Sequence, residues 1–271
     1  HMLDSIEIGK LLGSDVLSLW FADGTDYPGQ GDFRRRKHWA TESLKAVYNA
    51  MPPNMRMVIE YKPFEPAFYH TDIADWGMSY VLCQHCGPNA HVLVDLGHHL
   101  QGTNIEHIVS FLLDEERLGG FHFNDHKYAD DDLTVGSIDP YQLFRIYNEL
   151  AKAEDAPNGN PPIAYMIDQC HITKAKIDAM IQTVEHIQTA YTKALCVDRR
   201  KLSQAQAAKD VVSAEMCLTE AFNTDVSPLL KVVREEIGVD PNPLEAFRAS
   251  GYWDKVSRER GDRASTGGLG A

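Results

Sequence analysis

The chain alternates short apolar runs with amphipathic stretches. The runs are Val16-Leu-Ser-Leu-Trp20-Phe-Ala22, Arg56-Met-Val-Ile-Glu60-Tyr-Lys62, Val92-Leu-Val-Asp95, Phe121-His122-Phe-Asn124 and Ile163-Ala-Tyr-Met-Ile-Asp168. Each is apolar on both faces and gives way to polar or turn residues, as buried strands do. Between them the spacing predicts helices over Leu3–Leu12 (stopped by Gly13), Arg34–Ala50, Thr71–Cys86 (stopped by Gly87-Pro88) and Asn104–Glu116, with Gly119-Gly120 beyond the last. Another starts at Asp139-Pro140, where proline suits the first turn, and Asn158–Pro162 is a break. Asp23–Gln30 and His126–Asp132 read as loops. From Thr173 onward only helical patterns follow, and Arg258–Ala271 reads as a loose, glycine-rich end.

Apolar strands joined through helices by short connections predict a parallel sheet covered by helices. The expected fold class is α/β, a (β/α)8 TIM barrel represented here by its C-terminal five or so units and followed by a helical extension. A closed barrel uses eight strands, so the chain is expected to be the C-terminal part of a longer protein. His1-Met2 reads as a cloning scar. The expected domains are 1–172, a partial barrel, and 173–271, the helical extension.

The chemistry gathers at the strand ends. Glu60, Asp95, His122 and Asp168 lie at or near the ends of four successive runs, and in a barrel those ends converge on one face. Carboxylates brought together without a cation raise one another's pKa, and a divalent ion relieves this. Oxygen-rich sets with an imidazole suit Mn²⁺ or Mg²⁺, with Co²⁺ and Zn²⁺ as competitors. His98, Asp130 and Asp132 form a second group, and Asp95 could be shared, so two ions could clamp neighbouring substrate oxygens. Taken singly, each such residue reads as a turn, a cap or a hydrogen-bonded histidine; Asp131 reads that way still. Lys62 reads either as a salt-bridge partner or as a substrate contact. Trp20 is either core packing or an apolar wall. His70, His99, His107 and His171 read as structural or surface residues.

Composition narrows the picture. The net charge of −13 argues against nucleic acid as a partner and against a phosphoesterase with a basic groove. No apolar run reaches membrane-spanning length, and no leader opens the chain. Five cysteines without a framework fit a reducing compartment, and Cys83-Gln-His-Cys86 lacks the second pair that a zinc site needs.

Glu60-Tyr-Lys-Pro-Phe-Glu-Pro66, Val94-Asp-Leu-Gly-His98-His99, Gly120-Phe-His122-Phe-Asn124 and Tyr128-Ala-Asp130-Asp-Asp132 together resemble bacterial L-rhamnose isomerase, the xylose-isomerase-related type that also acts on other aldoses such as D-allose. The resemblance implies a metal-dependent aldose–ketose isomerase interconverting L-rhamnose and L-rhamnulose, or D-allose and D-psicose, by proton or hydride transfer between C1 and C2. It implies two divalent ions, commonly Mn²⁺: one on Glu60, Asp95, His122 and Asp168, the other on Asp95, His98, Asp130 and Asp132. Lys62 would hold O1 and Trp20 would line the sugar pocket, with Lys62, His98 and Asp168 as the catalytic set. The implied partners are a small sugar and further copies of the chain in a homotetramer, with no nucleic acid and no membrane, in the cytoplasm. The first three or so units, which supply sugar contacts in that family, are not seen. A non-catalytic metal-binding fragment is therefore the competing expectation.

Overall fold

The structure is a computed structural model and describes residues 1–63, 65, 70–154 and 162–261. Five parallel strands form the main sheet: β1 (Val16–Leu19), β3 (Arg56–Glu60), β5 (Ala90–Asp95), β6 (Leu118–Phe123) and β7 (Ala164–Ile167). They pair in chain order. A helix follows β1, β3, β5, β6 and β7 in turn: α2 (Phe33–Ala50), α3 (Trp76–Cys86), α4 (Ile105–Asp114), α5 (Pro140–Glu154) and α6 (Lys176–Leu195). This is the repeat of a TIM barrel, present as a half-barrel with β1 and β7 at its edges.

Burial explains why the runs were so apolar. β5 is buried at every position, and β3 and β6 at all but one. The edge strands β1 and β7 carry exposed positions, Ser18 and Tyr165. The helices bury one stripe each. In α4 that stripe is Ile105, Ile108, Val109, Leu112 and Leu113; in α5 it includes Leu143, Phe144, Ile146, Tyr147 and Leu150. α1 (Met2–Leu12) sends Ile6 into the same core. Beyond α6 come α7 (Arg199–Ala208), α8 (Val211–Phe222), α9 (Ser227–Glu236), α10 (Pro243–Ala249) and α11 (Tyr252–Arg260). Ala190, Ala194, Leu202, Cys217 and Ala221 tie the start of this helical region to the main core.

Several boundaries differ from the sequence expectations. Gly119-Gly120 does not follow a helix but lies inside β6, and α4 ends at Asp114. The two glycines are there for space. A Cβ on Gly119 would stand 2.4 Å from His91 Cβ, and one on Gly120 would stand 3.0 Å from the Ala164 carbonyl. The helix expected to open at Thr71 starts at Trp76, where the Asp75 side chain accepts the Met78 N–H at 2.8 Å. Thr71 instead joins β4 (His70–Thr71), which pairs antiparallel with β2 (Gly24–Thr25). β3 stops at Glu60, leaving Lys62 in the loop beyond it. Helix α11 runs through Arg258, inside the stretch expected to be a loose end; residues 262–271 of that stretch lie outside the described residues, as do 158–161 of the expected break.

Candidate metal centre

Register places the strand-end residues on one face. Side chains alternate along a strand, so positions two apart share a side. Glu60 pairs with Leu93, two before Asp95; Asp95 pairs with His122; His122 pairs with Met166, two before Asp168. Glu60, Asp95, His122 and Asp168 therefore project together from the carboxyl end of the sheet. Ligand atoms of Glu60, Asp95 and His98 lie within 4.8 Å of one another, as do those of Asp95, His122 and Asp168. Asp95 is common to both groups.

His122 Nδ1 is 3.2 Å from Glu60 Oε1 and 3.6 Å from both Asp95 Oδ2 and Asp168 Oδ2. His98 sits between the two expected ligand sets. Its Nδ1 faces Glu60 Oε1 at 3.1 Å and its Nε2 faces Asp130 Oδ1 at 3.5 Å. Lys62 Nζ is 2.6 Å from Asp130 Oδ2 and 2.5 Å from Glu65. Its charge also lies 5.5 Å from the centroid of the Trp20 ring, and Trp20 is 46% exposed. The loop thus brings Trp20, Lys62 and Asp130 together. Asp132 adopts a left-handed φ of 47° and stands near the same carboxylates. Asp131 points elsewhere, its carboxylate accepting the Lys127 and Tyr128 N–H groups at 2.8 Å each.

Crowding shows in the proton affinities. Burial and then the charges of Asp130, Asp95 and Asp168 push Asp132 up to about 7. Burial, with Asp95 and Glu60, likewise raises Asp168 against the opposing pull of His122. Burial works against a charged His98, but Asp130 and Glu60 outweigh it and push the imidazole up to about 10. His122 also rises to about 10, burial being outweighed by Asp95 and Glu60. Burial opposes the charge on Glu60 too, yet the His122 and His98 hydrogen bonds hold its carboxyl below the ordinary range. Asp130 is lowered, first by its bond to His98. In the chain by itself, the two imidazoles act as the counter-charge for the carboxylates.

The residues present fit a divalent cation. The sharpest sign is Asp95 Oδ2, a buried oxygen on a residue that is 0% exposed: among the described residues it accepts no hydrogen bond, and His122 Nδ1 faces it at 3.6 Å. Buried polar atoms are nearly always paired, and an orphan calls for an ion or water. Carboxylates with imidazole form the donor set expected for a divalent metal. His98 already has an acceptor for its Nδ1–H in the Tyr61 carbonyl at 3.1 Å, which would leave Nε2 free to bind an ion.

Two supporting features escaped sequence reading. Tyr61, buried, donates its hydroxyl to His99 Nε2 at 2.6 Å. Burial pushes His99 down to about 4, so it accepts this bond as a neutral imidazole. The other feature is Asn124, beside Asp95 and two positions past His122; that parity was the available signal. A cavity of about 100 Å³ is bordered by Lys62, His98, His99, Gln101, Tyr128 and Asp130. A larger groove of about 710 Å³, lined by Phe33, Met78 and Val81 among others, holds none of the candidate ligands. Cys83 and Cys86 are free thiols, and burial raises both.

The roles of ligand and substrate contact can be separated by mutation. His122→Ala is expected to lose bound Mn²⁺ on dialysis, whereas Lys62→Ala retains it. Equal loss in both, measured by elemental analysis, would contradict the assignment of His122 as a ligand and Lys62 as a sugar contact.

Comparison with known proteins bears on the fold. No protein-family model matches the chain. It is 47% identical over 269 residues to a probable sugar isomerase of Rhizobium meliloti, and 45% identical over 271 residues to another of Mesorhizobium japonicum. The alignments cover 99% and 100% of this chain, which spans 62% of the length of each relative. Among solved structures it resembles L-ribulose 3-epimerase (TM-score 0.51, 13% identity, 73% of this chain and 70% of that one). It also resembles the IolI protein with a bound zinc atom (TM-score 0.50, 14% identity, 71% and 67%). A xylose isomerase domain protein from Alicyclobacillus acidocaldarius gives a TM-score of 0.50 at 17% identity, over 71% and 69%. The fold is thus that of the xylose-isomerase-like TIM barrels. Among the described residues no helix is long and apolar enough to cross a membrane.

Proposed function

We propose that this chain carries the ion-binding half of a metal-dependent aldose–ketose isomerase site, acting on L-rhamnose and L-rhamnulose or on close relatives such as D-allose. The observation that carries the reading is the convergence of carboxylates and imidazoles from four successive strand ends around the unpartnered Asp95 Oδ2. Similarity to probable sugar isomerases supports the substrate class, and the motif resemblance supports the choice of sugar. Glu60, Asp95, His98, His122, Asp130, Asp132 and Asp168 would hold two divalent ions, with Mn²⁺ the ion of choice. When bound, such ions polarise neighbouring sugar oxygens as Lewis acids.

The chain's own residues would do the rest. Lys62, held by Asp130, would hold the sugar O1 through its ammonium protons. Trp20 beside it would cover an apolar face of the sugar. The buried His98 and the more exposed Asp168 would orient the reacting carbons. On this reading residues 1–172 form the sugar-handling unit and 173–271 the helical extension. Assembly as a homotetramer and a cytoplasmic location belong to the same reading.

The test is an assay of the 271-residue chain on L-rhamnose with Mn²⁺, alone and mixed with the remaining part of a full-length relative. Little turnover is expected from the chain alone. Among the described residues β1 and β7 leave the sheet open on two sides, and loose positioning of reacting atoms is costly. Activity is expected on mixing. No activity with any aldose in the mixture, with both ions bound, would reject the isomerase reading and leave a metal-binding fragment.

A further inference from the structure

Asn124 belongs to neither ligand group, yet it is only 1% exposed, less than any member of the centre except Asp95. Its Nδ2 donates to Asp95 Oδ1 at 2.9 Å and reaches Asp132 Oδ1 at 3.5 Å. The Gly97 N–H gives Asp95 Oδ1 a second donor at 2.8 Å. Asp95 is therefore held by one oxygen only, and Oδ2 is left facing His122. Asp132 is the residue with the left-handed φ of 47°, a conformation that persists when its surroundings impose it.

The orientation of the Asn124 amide is fixed by charge. Turned over, its carbonyl oxygen would face the Asp95 carboxylate, which only accepts hydrogen bonds. As placed, Oδ1 is buried without a partner among the described residues, a cost the donor side offsets. The side chain also has no slack, because a Cβ on Gly97 would come within 2.9 Å of Asn124 Oδ1.

We propose that Asn124 is a positioning residue that couples the two ion sites. One amide group sets which oxygen of Asp95 is free and steadies Asp132, so both sites depend on it together. The proposal rests on the ion-binding reading above, and the test keeps the two apart. Co²⁺ serves as the probe, titrated into the full chain while its visible absorption is recorded. Wild type, Glu60→Gln, Asn124→Asp and Gly97→Ala are compared. Asn124→Asp keeps the size of the side chain but replaces the donor with an acceptor.

The expected result for Asn124→Asp is weaker binding at both sites by about 10–100-fold, the usual cost of losing an outer hydrogen bond to a ligand, with shifted absorption bands and unchanged helix content. Gly97→Ala, whose Cβ would press on Asn124 Oδ1 at 2.9 Å and meet Asp130 Oδ1 only at an ordinary 3.4 Å, is expected to give the same paired loss. It decides the question if Asn124→Asp does not fold. Loss at one site alone, or a lowered unfolding temperature with affinities and bands unchanged, overturns the coupling role while the ion-binding reading stands. A wild-type chain that takes up no more Co²⁺ than Glu60→Gln overturns both.

Discussion

Asp95→Asn is expected to release both ions while leaving the ion-free chain folded, the relief of a buried charge being set against the loss of its attraction to His122. Asp95 is common to the two ligand groups and fully buried, with Oδ2 unpartnered. A buried charge with an unsatisfied oxygen costs stability. Asparagine keeps an oxygen for the Gly97 N–H and the Asn124 amide, and removes the negative charge that an ion would need. Affinity at both sites should fall by more than the roughly 10–100-fold that follows loss of an outer hydrogen bond. Thermal unfolding without metal, read beside a competition titration with Mn²⁺, checks both halves. A large drop in unfolding temperature with ion binding intact would mean that Asp95 serves the fold and not a metal.

The second large effect is on protons. His98 and His122 are both pushed up to about 10 in the folded chain, against about 6.5 for an unperturbed imidazole. A folded-state pKa raised above the unfolded one contributes stability that is complete below the unfolded value and is lost as pH rises through the folded one. Without metal, stability should therefore fall as pH rises from about 6.5 towards 10. Asp132, raised to about 7, works in the same direction at lower pH. Glu60 and Asp130, both lowered, work the other way, and their contribution disappears on acidification.

Saturating Mn²⁺ should flatten the alkaline loss, because an ion replaces the imidazolium protons as counter-charge. Ion uptake at neutral pH should accordingly release about two protons per chain from His98 and His122, plus the fraction that Asp132 holds, since a ligand gives up the proton on its bonding atom. Calorimetric titrations in buffers of different ionisation heat measure this directly. Uptake with no proton release would show that the two histidines do not become ligands.

The sequence made the site legible because of the way parallel strands are built. Strands buried on both faces leave continuous apolar runs, so a charged residue at the end of such a run stands out, as Asp95 does after Val92-Leu-Val94. Parity then carried Glu60, Asp95, His122 and Asp168 to one side of the sheet. Other features depended on contacts that no local pattern encodes. The Tyr61–His99 bond joins residues 38 apart, and the Asn124–Asp95 bond joins residues 29 apart. The β2–β4 pair is two residues long on each side and too short for any periodicity. Gly119-Gly120 imitates a helix stop, although the crowding that requires it comes from His91 and Ala164 on neighbouring strands. The position of His98 between Glu60 and Asp130 follows from loop geometry, which the spacing of the motifs does not fix.

Two divalent ions that share Asp95 would give a definite stoichiometry, which elemental analysis after dialysis against Mn²⁺ measures. The expected result is two equivalents per chain in the wild type, falling towards none in Asp95→Asn and towards one in Asp130→Ala. A stoichiometry near one that Asp130→Ala leaves unchanged, or retention of both ions by Asp95→Asn, would contradict it.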